Sequence, residues 1–219
     1  MLITRTLIKF PEISLLTSDA HKLRGYFGEI FKEHSPLLHN HFEDGKFRYA
    51  YPLVQYKVVD SVPMLVGFNE GGKLLVQLFL KIREIELEGK KYPVLSKNMQ
   101  QQNINITEKD VPANYQFKTL WLPLNQQNHK QFLQLNDDEK KLYLDKMLVN
   151  NVLSFYKGLG YRTATKLMAY TTLKEKTTQF KNQTMLAFEG TFVTNAYLPD
   201  YIGLGKAVSR GFGTIYASK

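Results

Sequence analysis

Apolar side chains in the first half of the chain recur with strand spacing in some stretches and with helix spacing in others. Leu2–Phe10 alternates apolar and polar residues, which predicts a strand. Residues 19–34 carry Leu23, Phe27 and Ile30 at the i, i+4, i+7 spacing of an amphipathic helix. The segments that follow predict a strand at 48–60, a strand at 64–68, a short helix at 74–82 and β-prone pieces at 83–106. The Gln/Asn-rich part at 98–105 is predicted to be either the rim of a strand or a loop.

The second half repeats this pattern in a less regular form. Residues 115–124 predict a strand, and Asn136 with Glu139 forms a capping-box pattern at the start of a helix. That helix carries one apolar stripe, formed by Leu144, Leu148, Val152 and Phe155. Residues 165–197 are rich in threonine and aromatic residues and predict two or three strands, and the chain closes with a short terminal strand.

The order strand, helix, strand, strand, helix, strand is typical of one fold class. It predicts an α+β protein made of two tandem ferredoxin-like domains, each RRM-like with a βαββαβ order. We expect residues 1–108 to form the N-terminal domain and residues 109–219 to form the C-terminal domain.

Charge and composition limit the kinds of partner and site that this protein can have. Lys and Arg number 29 against 20 Asp and Glu, which gives a net charge of +9 and favours a polyanionic partner, either nucleic acid or an anionic membrane surface. The chain has no cysteine, which excludes disulfides, a thiolate zinc site and a cysteine nucleophile. It also has neither a signal-peptide pattern at its start nor an apolar run of about 18 residues, so we expect a soluble, cytoplasmic protein without a membrane partner.

A glycine-rich segment near the C-terminus, GLGKAVSRGFG at 203–213, is the most specific motif. Glycines allow backbone N–H groups to approach phosphate, and the basic and hydroxyl side chains between them add charge and a donor. The expected RNA-binding residues of this loop are Gly203, Gly205, Lys206, Ser209, Arg210, Gly211 and Gly213. A Walker or dinucleotide loop is excluded because the remaining residues, 214–219, are too few and too β-like to form the helix that such loops begin. A flexible glycine hairpin is the alternative.

This loop resembles the terminal glycine-rich loop of the RAMP superfamily of CRISPR-associated proteins, whose members are built from ferredoxin-like domains. Residues 23–57 resemble the amino-terminal domain of the CRISPR repeat-RNA processing endoribonucleases, in particular the branch with a His-x-His motif. The resemblance implies cleavage of CRISPR precursor RNA within its repeats without a metal or other cofactor. Its implied partner is CRISPR repeat RNA, either single-stranded or as a hairpin.

His39 and His41 lie in the predicted loop between the first helix and the second strand. Two imidazoles with ordinary pKa values can serve as general base and general acid when a ribose 2′-OH attacks the adjacent phosphate. Such cleavage leaves a 2′,3′-cyclic phosphate and a 5′-OH. A zinc site, for which Glu43 and Asp44 are the only nearby additions, and an inert solvated loop remain alternatives. The resemblance favours catalysis, because the catalytic histidines of that family fall in this loop.

Strand alternation after the histidine pair suggests supporting residues. If 48–60 is one strand, Tyr49, Tyr51 and Lys57 share a face with Leu53 and Gln55, and the opposite face enters the core. Tyr49 and Lys57 are assigned auxiliary catalytic roles, in which Lys57 offsets transition-state charge. Arg48 and Tyr51 are assigned to RNA binding. Ordinary packing is the alternative for both tyrosines.

Other functions stay open at this point. A non-catalytic RNA-binding subunit of a CRISPR effector complex would share the fold and the glycine loop but would not need His39 and His41. A generic RNA binder outside CRISPR systems would show no preference for repeat sequences. The sequence leaves open a homodimer and an association with an effector complex.

Overall fold

The chain divides into two compact units in the computed structural model, which describes residues 1–31, 51–180 and 183–218. The N-terminal unit comprises Leu2–Asn105 together with a short segment from near the C-terminus, Ser209–Gly211. The C-terminal unit comprises Met1 and the rest of the chain from Ile106 onwards. No helix within the described part of the chain is both long enough and apolar enough to cross a membrane.

The N-terminal unit is a four-stranded antiparallel sheet whose strand order is β2-β3-β1-β6. Its elements are β1 (Leu2–Lys9), α1 (Ala20–Ile30), β2 (Val54–Val59), β3 (Val62–Phe68), α2 (Glu70–Phe79), the small hairpin β4 (Glu84–Leu87) with β5 (Lys90–Pro93), and β6 (Asn98–Asn105). Apart from the inserted hairpin, this is the predicted βαββαβ order. The ferredoxin-like fold of this half is confirmed.

Both helices of this unit cover one face of the sheet. Apolar side chains from α1, such as Leu23 and Phe27, and from α2, such as Leu75, pack in one cluster with Ile8 and Tyr56 from the strands. Phe27 lies at the centre of this cluster, where its ring stacks on those of Phe10, Phe31 and Tyr56 at centroid distances of 6.3, 6.2 and 5.9 Å. The helical spacing in the sequence therefore identified Leu23 and Phe27 correctly as buried, whereas Ile30, the third residue of the predicted stripe, is exposed at the end of α1.

The C-terminal unit contains a second four-stranded sheet, with the order β10-β7-β9-β8. Its elements are β7 (Glu108–Phe117), α3 (Gln126–Phe132), α4 (Asp137–Gly158), β8 (Ala169–Phe180), β9 (Gln183–Ala196) and β10 (Ile215–Ala217). The strand order corresponds to that of the N-terminal sheet. Between β9 and β10 the only helical turn is a short 3-10 turn at Val208–Arg210, so the second long helix of the ferredoxin-like pattern is missing here.

Helix α4 begins where the sequence predicts and buries the side chains that the sequence predicts. The side chains of Asn136 and Glu139 each accept a hydrogen bond from the other's backbone N–H, at 3.0 and 2.9 Å. The predicted stripe, Leu144, Leu148, Val152 and Phe155, is buried. The aromatic core of this unit includes Trp121, whose ring centroid lies 5.2 Å from that of Phe117.

Three of the predicted elements have different bounds in the structure. The strand predicted at 48–60 begins only at Val54 within the described residues, because Pro52 has no N–H to donate to a strand partner. The helix predicted from residue 74 begins at Glu70, and the strand predicted at 115–124 is β7, which ends at Phe117. Residue 108, the last residue of the predicted N-terminal domain, is the first residue of β7, and the predicted boundary itself stays a prediction.

Candidate functional site

The predicted site residues fall into two groups. His39, His41, Arg48 and Tyr49 lie outside the described residues, so their assignment stays a prediction from the sequence. Tyr51 is half-buried and lies three residues before β2, so the strand alternation that grouped it with Lys57 does not reach it. Lys57 and the glycine-rich loop are described in full.

Lys57 is fully buried in the middle of β2. Val54, Tyr56 and Val58 belong to the core cluster on the helix side of the sheet, so Lys57 and Gln55 point to the opposite side. Burial lowers the pKa of the Lys57 ammonium to about 7, because removal from water penalises the charged form. A lysine in this state changes its charge close to neutral pH.

Replacing Lys57 with methionine is expected to stabilise the protein at neutral pH, and the gain should shrink as pH rises. An exposed lysine has a pKa of about 10.4, so between about pH 7 and pH 10 the unfolded chain binds a proton that the folded chain does not. Wild-type stability therefore rises with pH across this window, and the methionine variant lacks that rise.

The difference in the free energy of unfolding between the two proteins should change by about 3 kcal/mol across the window. Urea unfolding of both proteins at pH 7 and pH 10 measures it. Parallel pH dependence of wild type and variant would mean that Lys57 stays charged in the folded state.

Two further polar side chains are buried on the same side of the N-terminal sheet. The Arg5 guanidinium donates to the Gln102 side-chain oxygen at 2.6 Å, and the Gln55 amide donates to the Pro52 carbonyl at 3.2 Å. Neither residue was selected from the sequence. The burial of Arg5 could have been inferred from the alternation of side chains along β1, which puts Arg5 on the same face as the apolar residues Ile3 and Leu7.

The glycine-rich loop is tied to its own protein by backbone hydrogen bonds. In the C-terminal unit, the N–H groups of Leu204 and Lys206 donate to the carbonyls of Gly213 and Leu122, each at 2.9 Å. Gly205 has a φ of +90°, and a Cβ there would lie 2.7 Å from the Leu122 carbonyl oxygen. Glycine is needed at 205 by the loop's own packing, and Lys206 next to it is exposed.

A second glycine of the loop, Gly211, packs within the N-terminal unit. Its φ is +93°, and a Cβ there would lie 2.6 Å from the Ala20 Cβ at the start of α1 and 3.5 Å from the Tyr56 carbonyl oxygen. The absence of a side chain lets the backbone approach α1 and β2 closely. The preceding residue, Arg210, is thereby held next to α1.

Arg24 on α1 is the neighbour of Arg210, and the sequence reasoning missed it. Arg24 is partly buried, and its pKa is lowered first by burial and then by the positive charge of Arg210. Two guanidinium groups are therefore close enough to repel each other. This pair could not be found from sequence spacing, because its members come from opposite ends of the chain.

The described residues contain no group of three or more His, Asp or Glu side chains arranged to hold a metal ion. Of the remaining histidines that the structure describes, the His21 Nδ1 lies 2.6 Å from the Ser18 carbonyl, which is a local contact at the start of α1.

Two ferredoxin-like units in tandem, with a glycine-rich loop before the last strand, define the RAMP class of CRISPR-associated proteins. A family model described as the Cas6b N-terminal domain matches residues 1–105, and one described as the Cas6b C-terminal domain matches residues 106–218. The chain therefore belongs to the Cas6b family of CRISPR RNA-processing endoribonucleases, which confirms the resemblance noted in the sequence.

Individual relatives agree with this assignment. A crystal structure of Cas6b is 33% identical, with full coverage of both chains and a TM-score of 0.95. A second, of the CRISPR RNA processing endoribonuclease Cas6b, is 32% identical, with full coverage of both chains and a TM-score of 0.81. An uncharacterized protein of Methanocaldococcus jannaschii is 32% identical over 142 residues, which are 64% of this chain and 95% of that protein.

Proposed function

We propose that this protein cleaves CRISPR precursor RNA within its repeats by metal-independent attack of a ribose 2′-OH. The observation that carries the proposal is the match of both halves of the chain to Cas6b models, together with the His39-x-His41 motif in the N-terminal half. A purely RNA-binding subunit would have no use for two imidazoles at this spacing. Repeat RNA is accordingly the proposed substrate.

In the proposed reaction the 2′ oxygen bonds to the adjacent phosphorus while the bond from phosphorus to the 5′ oxygen breaks. One imidazole takes the 2′-OH proton, and the other, in its protonated form, donates a proton to the leaving 5′ oxygen. The products are a 2′,3′-cyclic phosphate and a 5′-OH. His39 and His41 fill these two roles, and either can be the base.

Auxiliary roles are proposed for residues around the histidine pair. Lys57 and Tyr49 support catalysis, and the pKa of about 7 at Lys57 allows its charge to respond to a nearby phosphate at neutral pH. Arg48 and Tyr51 contribute to RNA binding. The glycine-rich loop is proposed to contact RNA mainly through its side chains at Lys206, Ser209 and Arg210, because three of its backbone amides already donate to protein carbonyls.

Cleavage of the cognate repeat RNA should continue at an unchanged rate in EDTA, because the proposed chemistry needs only an acid and a base. The experiment incubates the protein with repeat RNA from its own genome, with and without the chelator, and maps both ends of the products. Ends other than a 2′,3′-cyclic phosphate and a 5′-OH, or activity that is lost in EDTA and restored by zinc or manganese, would contradict the proposed mechanism. A repeat with scrambled sequence is the control for specificity.

A further inference from the structure

A cavity opens at the C-terminal end of α4, and none of the residues assigned so far to catalysis or RNA binding lines it. Its volume is about 630 Å³, within the range of roughly 300–1,000 Å³ that is typical of ligand sites. We call this feature the α4 cavity. It belongs to the C-terminal unit, and its lining comes from the end of α4 and the loop that follows: Leu153, Lys157, Gly160, Tyr161, Arg162 and Thr163.

The turn that ends α4 explains why these residues meet. The Tyr161 N–H donates to the Tyr156 carbonyl at 2.9 Å. The Gly160 N–H donates to the Lys157 carbonyl at 3.0 Å, which completes the Schellman pattern of a helix C-terminus. Gly160 has a φ of +81°, a conformation that glycine adopts without a steric penalty. The chain turns back on the helix here, so Arg162 lines the same cavity as Lys157.

The Tyr161 side chain is held in place by two contacts. Its hydroxyl donates to a Glu108 carboxylate oxygen at 2.9 Å, and its ring meets that of Tyr156 edge-on at a centroid distance of 5.0 Å. The Tyr161 ring is half-buried and lines the α4 cavity, whereas Glu108 does not line it. Because the ring is already fixed, it can stack on a flat ligand at little cost in conformational entropy.

The charged side chains that line the α4 cavity are both positive. Lys157 and Arg162 are exposed, and neither side chain forms an ion pair or a hydrogen bond with any residue that the structure describes. Near the other end of the same helix, by contrast, the Lys140 ammonium lies 3.8 Å from an Asp137 carboxylate oxygen. From residue 146 to residue 174 the sequence contains five basic residues and no acidic one. The cavity therefore attracts an anionic ligand.

Two cations, an aromatic ring and an apolar side chain match the parts of one nucleotide. Lys157 and Arg162 fit the phosphate, and Tyr161 and Leu153 fit the flat face of the base. A free phosphate would use the two cations and leave Tyr161 without a role. The bases of a duplex are stacked inside the helix, so the matching ligand is single-stranded RNA.

We propose that the α4 cavity binds one nucleotide of the repeat RNA in single-stranded form, as an anchoring site additional to the glycine-rich loop. Lys157 and Arg162 hold its phosphate, and Tyr161 stacks on its base. The inference rests on the proposed function in that it takes repeat RNA as the ligand. The cavity acts on binding alone and takes no part in the cleavage reaction.

Binding measurements on an uncleavable repeat RNA, with a 2′-deoxyribose before the scissile phosphate, test this site. Arg162→Gln should weaken binding by roughly 5–20-fold, because charge-assisted hydrogen bonds to one phosphate are lost. The slope of log Kd against log salt concentration should fall by about 0.7, the contribution of one phosphate of a single strand. Lys146→Gln is the matched control, since it removes an exposed charge from the same helix about 16 Å from Lys157. It should bind within about twofold of wild type.

Two variants of Tyr161 separate base stacking from folding. Tyr161→Phe keeps the ring but loses the hydrogen bond to Glu108, and it should bind RNA within about threefold of wild type. Tyr161→Leu removes the ring and should weaken binding by roughly tenfold, the usual effect of losing one base–aromatic stack. Melting temperatures show whether both variants are folded. If Tyr161→Leu does not fold, the exposed Arg162 variant and crosslinking decide.

Crosslinking locates the nucleotide on the protein. Repeat RNAs that each carry a single 4-thiouridine are irradiated with wild-type protein, and the protein is digested with trypsin, which cuts after Lys157 and Arg162. Photolabelling at one or two adjacent RNA positions should fall on the peptide 158–162, which contains Tyr161. Lys146→Gln should give the same crosslink as wild type.

The outcomes distinguish this inference from the proposed function. Wild-type affinity in Arg162→Gln, an equal loss of affinity in Lys146→Gln, or no crosslink to residues 158–162 would overturn the inference. Single-turnover rates of wild type and Arg162→Gln should agree at saturating protein. Wild type that binds the repeat but never cuts it contradicts the proposed function, and the binding comparison still decides the inference. Wild type that cuts the repeat while Arg162→Gln binds normally contradicts only the inference.

Discussion

A repeat RNA in which one hydrogen replaces the 2′-OH before the scissile phosphate is expected to remain bound but uncut. The proposed reaction has no other nucleophile, so removal of this oxygen should abolish cleavage at that site within the detection limit. Affinity should change less than about twofold, because proteins contact single-stranded RNA mainly at its phosphates and bases. Quantitative gel analysis of single-turnover reactions, with binding measured by filter retention, separates the two effects.

The control for this substrate is a deoxyribose placed two nucleotides away from the cut, which should be cleaved at the normal rate. Continued cleavage of the test substrate at the same phosphate would mean that water is the nucleophile. Cleavage that moves to a neighbouring phosphate would instead mean that the RNA slides on the protein.

The sequence predicted well which segments form helices and strands, because the spacing of apolar residues within each segment indicates its secondary structure. The helix around Leu23 and Phe27 buries these two side chains as its spacing predicts, because that side of the helix faces a continuous core. Leu2–Phe10 contains the predicted strand, but β1 is buried on both sides from Arg5 to Ile8. The Gln/Asn-rich β6 was only weakly predicted. It is an edge strand paired on one side with β1, and such a strand needs few apolar side chains.

Features that depend on tertiary contacts were beyond sequence reasoning. The glycines of the C-terminal loop were interpreted as sites of close approach to phosphate, yet Gly205 and Gly211 make close approaches to Leu122 and Ala20 of the protein itself. Any close backbone contact selects glycine, so the sequence cannot tell which partner is being approached. The pairing of Arg24 with Arg210 follows from one of these contacts and was equally hidden.

The burial of Lys57 also depends on tertiary contacts and could not be predicted from the sequence. Strand alternation grouped it with residues that were expected to face RNA, and nothing in the sequence indicated that it would be fully buried. Its pKa of about 7 is a consequence of that burial. If Lys57 supports catalysis as proposed, the pH dependence of cleavage has two sources, the histidine pair and this lysine, and variants can separate them.

His39→Ala and His41→Ala are each expected to slow cleavage of the repeat by roughly 10²–10⁴-fold, the usual contribution of one general acid or base. RNA affinity should change far less, since a neutral imidazole adds little to phosphate binding. Single-turnover rates at saturating protein measure the chemical step directly. The double variant should lose less than the product of the two single effects, because the pair acts on one transition state.

The pH profile of the same reaction identifies the roles of the two imidazoles. Wild type should show a bell-shaped rate profile, because one imidazole must be neutral and the other protonated. Removal of the base should eliminate the acidic limb, and removal of the acid should eliminate the alkaline limb, provided that residual rates are measurable. Lys57→Met should leave the acidic limb in place. If both histidine variants cut at the wild-type rate while remaining folded, His39 and His41 are not the catalysts, and the acid and base must be sought among the other titratable residues of the N-terminal half.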